Sequence, residues 1–201
     1  MRSTGAIVLL ALVLLVGFAG CAGCGSYNSL VAQDEAVLQE WSNLESTYQR
    51  RADLIPNLVA TVEGAADFES GTLIEVTEAR TRAANITLSG EDLDDPARVQ
   101  EFLQSQGALT AATGSLINAV REDYPELSAT EAFRDLQAQL EGTENRINQQ
   151  RRDYNAAVAS YNRQVRSFPT AIVAGLTGFD RKVPFEADEG AEDAPTVDFG
   201  S

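Results

Sequence analysis

The stretch SATEAFRDLQAQLEGTENRINQQRRDYNAAVASYNRQVRSF, residues 128–168, decides the architecture of this chain. Phe133, Leu140, Ile147, Tyr154, Tyr161 and Phe168 recur every seven residues, and on an α-helix that spacing gathers them into one narrow seam. Ser128 opens the segment as a capping box, with Glu131 three residues on. Pro169 ends it, so the predicted helix has about 40 residues and spans about 60 Å.

Working outward, the same three- and four-residue steps appear upstream. Tyr27, Leu30, Val37, Trp41, Leu44 and Tyr48 make a first seam, interrupted by Asp34. A break is expected at 52–56, because a helix-interior proline costs about 3 kcal/mol and Pro56 suits a first turn. A second helix is therefore started near Ile55, with Leu58, Val62, Ala65, Glu69, Leu73, Val76, Arg80 and Ala83 inward. The acidic turn 91–95 suits a helix N-terminus and leads into a third helix, Pro96 to Asp123, with Phe102, Leu109, Leu116, Ile117 and Val120 inward. Four such segments joined by short connections predict an all-α fold, an elongated antiparallel four-helix bundle over residues 27–169. A sustained seam also fits an extended two-stranded coiled coil; the breaks at Pro56, Pro96 and Pro125 favour folding back. Residues 170–201 form the remainder. The apolar run 171–176 is expected to pack on the bundle end, and the acidic stretch 186–198 to be an irregular, mobile tail.

The N-terminus gives an address. A basic Arg2, the apolar run from Ala6 to Ala19 and the small residues before Cys21 describe a secretory signal with a lipobox-like end. Residues 1–20 are read as a lipoprotein signal peptide, Cys21 as the lipidated (palmitate-bearing) residue, and 21–26 as a linker. The alternative is an uncleaved single-pass anchor, since residues 3–33 carry no charge and about 20 residues span a bilayer. Either reading places the body outside the cytoplasm, at the bacterial cell envelope; the lipid-anchored one places it on the outer membrane if the cell has two. Cys24 has no partner in its own chain once Cys21 is modified.

Charge and composition exclude several functions. With 15 basic and 30 acidic residues, a net charge of −15, the surface is expected to repel nucleic acid and anionic lipid headgroups. The chain has no histidine, which removes a Ser-His-Asp triad, an H-E-x-x-H zinc site and ferritin-like di-iron ligation. No catalytic, cofactor-binding or metal-ligating residue is assigned, and no cofactor is expected. What remains is carboxylates with arginines. Asp34, Glu69 and Arg80 interrupt apolar seams, Arg50, Arg51 and Asp53 crowd the first corner, and Glu144, Asn145, Arg151 and Asn155 flank the Tyr154/Tyr161 stripe. Interior charges must be paired, so these residues are expected to form a buried polar network fixing helix register. Paired catalytic carboxylates are the sharper alternative, needing a cleft that a straight bundle does not offer.

These residues form a recognisable pattern. The runs 27–31 and 34–37, Trp41, and especially 49–59 (QRRADLIPNLV) resemble the LemA family. So do 75–80, 142–147, Arg151, Tyr154-Asn155, Tyr161-Asn162 and 167–169. The resemblance implies a bundle of long helices held at a membrane by its N-terminus. It brings no established enzymatic activity and no catalytic residues. The expected role is that of a membrane-tethered scaffold or adaptor with an unidentified protein partner in the envelope. An envelope enzyme using carboxylates and a small-ligand or peptide carrier are the alternatives.

Overall fold

A computed structural model describes the backbone of residues 2–64 and 70–185, and the side chains of Leu9, 23–64 and 71–185. The fold is all-α. The helices are α1 (Arg2–Glu63), α2 (Ser70–Asn85), α3 (Pro96–Asp123), α4 (Pro125–Ser128), α5 (Glu131–Arg166) and α6 (Thr170–Thr177), with a 3₁₀ turn at Asp92–Asp94 before α3. Among the described residues no helix is long and apolar enough to cross a membrane.

The expected break at Pro56 is absent: α1 runs through it to Glu63. Packing explains this. Buried Leu30, Val37, Trp41, Leu44, Tyr48, Arg51, Ile55, Leu58 and Val62 continue one set of three- and four-residue steps across the proline. Breaking the helix there would forfeit the burial of Ile55, Leu58 and Val62, at about 1.5–3 kcal/mol for each large side chain. That outweighs the local cost of about 3 kcal/mol. The ring itself points outward, at an exposed position.

α5 is the 36-residue partner of α1, about 54 Å long. The two are antiparallel: Gln164 donates to Ser29 near one end, and Arg51 meets Glu144 farther along. Five members of the seven-residue repeat are buried, Phe133 through Tyr161. The sixth is not: Phe168 lies beyond the helix end and is 84% exposed. The N-cap also differs from the expected Ser128. Thr130 accepts from the Phe133 N–H, while Ser128 closes the short α4.

The core forms two clusters along this pair. One is built from Ile55, Leu58 and Val62 of α1, Leu73, Val76, Ala79 and Ala83 of α2, Leu109, Ala112, Leu116 and Val120 of α3, and Phe133 and Leu140 of α5. Here four helices meet. In the other, Val37, Trp41, Leu44 and Tyr48 pack with Phe102, Ile147, Tyr154, Val158 and Tyr161, and no α2 residue takes part. Its place is taken by Leu88 and Leu93 of the loop and by Phe185 of the C-terminal segment. The four-helix expectation thus describes one half of the molecule better than the other. Asp95 caps α3 by accepting from the Ala97 N–H, with Pro96 in the first turn.

After α6 the chain turns at Gly178, whose φ of +76° closes the helix and favours glycine. Residues 179–185 then run back along α5 as a strap. The expected acidic tail, 186–198, lies outside the described residues, as do Glu69 and the side chain of Cys21.

Candidate functional site

The interior polar residues separate into two groups on the α1–α5 pair. The first lies where the two apolar clusters meet. Arg51 occupies a seam position on α1, between Tyr48 and Ile55, and is only 4% exposed. Its Nη1 donates to Thr110 Oγ1 at 2.6 Å and to Glu144 Oε2 at 3.0 Å. Its Nη2 donates to Gln106 Oε1 at 2.7 Å and to the Gln106 carbonyl at 3.2 Å. The guanidinium carbon sits 5.3 Å from the Tyr48 ring centre, a cation–π distance. One cation therefore ties α1 to α3 and α5 at a single level. Such a polar layer fixes register, because sliding any helix by a turn strands a buried charge.

The second group holds the strap. Lys182, the chain's single lysine, is 7% exposed and reaches between helix α1 and the loop. Its Nζ lies 3.1 Å from Asp34 Oδ1 and 3.2 Å from Asp94 Oδ1, and 5.5 Å from the Tyr161 ring centre. Two Tyr-Asn pairs one heptad apart on α5 grip the strap backbone. Asn162 accepts from the Lys182 N–H at 2.9 Å and donates to its carbonyl at 2.8 Å. Asn155 does the same for Phe185, at 2.8 Å each way. Tyr161 Oη donates to the Asp180 carbonyl at 2.8 Å, and Tyr154 Oη to that of Val183 at 3.1 Å. The Val183 N–H donates to Leu93 O. Each carboxamide thus replaces a neighbouring strand for one strap residue. The Phe185 ring fills the core beside Tyr154 and Trp41, at 4.7 and 5.9 Å between ring centres.

These phenols are perturbed. Burial first, then the Asp94 carboxylate, pushes Tyr154 well above its ordinary value of 10.0. Burial, followed by Asp34, Asp94 and Asp180, does the same to Tyr161. In the loop, hydrogen bonds from Ser89 and then the Arg98 guanidinium hold the Asp92 carboxyl below the usual range.

Of the residues expected to form one network, Arg51 and Glu144 meet, Arg151 lies half-buried in the wall of the adjoining hollow, and Asp34 and Asn155 belong to the strap site. Arg50, Asp53 and Asn145 are instead exposed, because they fall on the outward faces of α1 and α5. Arg80 is half-buried, one residue off the inward position taken by Ala79. Among the described residues its partner is a carbonyl, that of Ala52 at 2.9 Å, rather than a carboxylate. Lys182, Asp94, Gln106 and Thr110 were not foreseen as members. The signal for Lys182 was its uniqueness, just ahead of apolar Val183 and Phe185 and the acidic end that follows them. Among the described residues no group of three or more metal-ligating side chains could hold an ion.

The LemA family pattern matches residues 40–199. Magnetosome protein MamQ 2 of Paramagnetospirillum magneticum is 30% identical over 186 residues, covering 85% of this chain and 68% of that protein. Magnetosome protein MamQ of Magnetospirillum gryphiswaldense is 27% identical over the same length. Protein LemA of Metamycoplasma hominis is 25% identical over 181 residues, covering 90% of this chain and 78% of its own. With residues 40–199 matched, most of its length, this chain belongs to the LemA family.

Proposed function

We propose that this protein is a membrane-tethered, extracytoplasmic scaffold or adaptor of the cell envelope that works through contacts with other proteins. The observation that carries the reading is the disposition of its interior charges. Arg51 is directed to Glu144, and Lys182 to Asp34 and Asp94, so the buried ionic groups serve one another. That is how a structural member uses charge; a carboxylate catalyst needs a carboxylate facing a cleft. Tethering is supported by the sequence before the bundle, where the apolar run 6–19 and Cys21 belong to the helix that also builds the core. A lipid on Cys21 with several acyl chains would give stable anchoring, which one chain alone does not.

Chemical crosslinking in intact membranes, followed by purification of the chain, tests the role. A specific envelope protein recovered at defined crosslinked positions is the expected result. Recovery of the uncrosslinked chain alone, together with hydrolysis of an envelope polymer that Glu144→Gln or Asp34→Asn abolishes without unfolding, would replace the scaffold with an enzyme.

A further inference from the structure

The end of the molecule that carries α6 is chemically unlike the rest. Ile172 and Leu176, four residues apart, lie on one face of α6, and Phe168 stands in the turn that enters it. Phe168, Ile172 and Leu176 are 84%, 58% and 81% exposed, while Thr170 and Ala174 face inward. Three large apolar side chains exposed at one end of the molecule require a reason.

Position supplies it. α6 packs against both α1 and α5, and Val173, Leu176 and Thr177 form a shallow apolar hollow of about 440 Å³ with Cys24, Tyr27 and Asn28. This is the part of α1 that directly follows the apolar run 6–19 and Cys21. Charge agrees as well. In a chain with twice as many acids as bases, residues 154–179 contain no acid, and Arg163 and Arg166 stand exposed just before Phe168. Exposed aromatic and aliphatic side chains beside arginines, at the root of an anchor, are the composition of a membrane-interface element. A protein partner would find no acid to pair and a stripe only one helix wide; anionic headgroups fit the arginines directly.

We propose that the Phe168–Ile172–Leu176 stripe is a lipid-contacting surface that seats the base of the bundle in the headgroup region of the bilayer. The seat rests on the tether proposed above. A second contact beside the anchor fixes the tilt of the α1–α5 pair, which a flexible lipid hook alone would leave free.

The test uses the full chain reconstituted in anionic phospholipid vesicles, with tryptophan placed by Leu176→Trp. Trp41, the native tryptophan, is buried and serves as the internal reference. Vesicles containing lipids brominated near the headgroup should remove more than about half of the added fluorescence and leave the parent chain's emission unchanged. Quenching of the added fluorescence by aqueous iodide but not by bromolipid, in protein that floats with the vesicles, would overturn the seat and leave the tether standing. Shielding from both quenchers would assign the stripe to a protein contact and likewise overturn it. Protein that does not float would remove tether and seat together.

Discussion

Arg80 repairs the defect that Pro56 makes in α1. A proline has no N–H, so the carbonyl four residues earlier, that of Ala52, loses its helical donor. Arg80 Nε on α2 supplies one at 2.9 Å. The proline is thus tolerated inside a 62-residue helix because a neighbouring helix satisfies the freed carbonyl. The interaction also fastens α2 to α1.

The relationship makes a double-mutant prediction. Arg80→Met should destabilise the parent by about 1–2 kcal/mol, the cost of an unsatisfied, partly buried carbonyl. In a Pro56→Ala background the backbone N–H returns, and the same substitution should cost less than about 0.5 kcal/mol. Denaturant unfolding of the four proteins measures the difference. Equal costs in both backgrounds would disconnect the two residues.

This corner also explains what could be read from the chain and what could not. α3 and the long α5 followed from Pro96, from the acidic turn before it and from the Phe133–Tyr161 repeat, since local chemistry and packing agreed there. At Pro56 they disagree: local propensity predicts a break, and packing carries the helix through. The contrary signal was present: stepping on from Tyr48 by three and four reaches 51, 55, 58 and 62, without a change of phase. It was masked because position 51 is an arginine. Arg51 itself was legible as a corner residue but not as a core one. Its acceptors Gln106 and Thr110 lie on another helix, and glutamine and threonine do not announce a buried ion site. The strap was hidden for a different reason. Nonperiodic residues held by side-chain amides leave no pattern, and only the Tyr-Asn pairs one heptad apart hint at it.

The polar layer should be asymmetric to mutation. Arg51→Ala removes a buried guanidinium, leaves a cavity and strands Gln106 Oε1, so a loss of about 3–5 kcal/mol is expected. Glu144 is 39% exposed, and Glu144→Gln keeps a hydrogen-bond acceptor, so about 1 kcal/mol is expected. Calorimetric melting of both variants decides. A larger loss at Glu144 than at Arg51 would place the centre of the layer elsewhere.

The strap should act as a unit. Asn155→Ala or Asn162→Ala each removes two backbone hydrogen bonds, about 1–3 kcal/mol. Either should loosen Phe185 from Trp41, moving the tryptophan emission to the red before global unfolding. An unchanged emission maximum at partial denaturation would show the strap and bundle to be indifferent to each other.

Alkaline pH should unfold the chain through Tyr154 and Tyr161. Their folded-state values lie above the ordinary 10.0, so their neutral forms stabilise the fold fully below about pH 10. That contribution declines as pH rises above 10 toward the folded-state values. Tyrosinate absorbance followed alongside helical circular dichroism should show a late phase that coincides with loss of helix. Replacing both residues with Phe should abolish the late absorbance phase. Complete tyrosine ionisation with the helix intact would contradict the burial of these phenols.

The central proposal is that Cys21, in the first third of the helix that builds the core, holds this bundle to a membrane. Fractionation of cells expressing the chain and its Cys21→Ser variant tests it most directly, with the mass of the N-terminal peptide measured in each. The account predicts that the parent sediments with membranes and carries a lipid on Cys21, and that the variant leaves the membrane fraction. A parent chain found unmodified in the soluble fraction would contradict it.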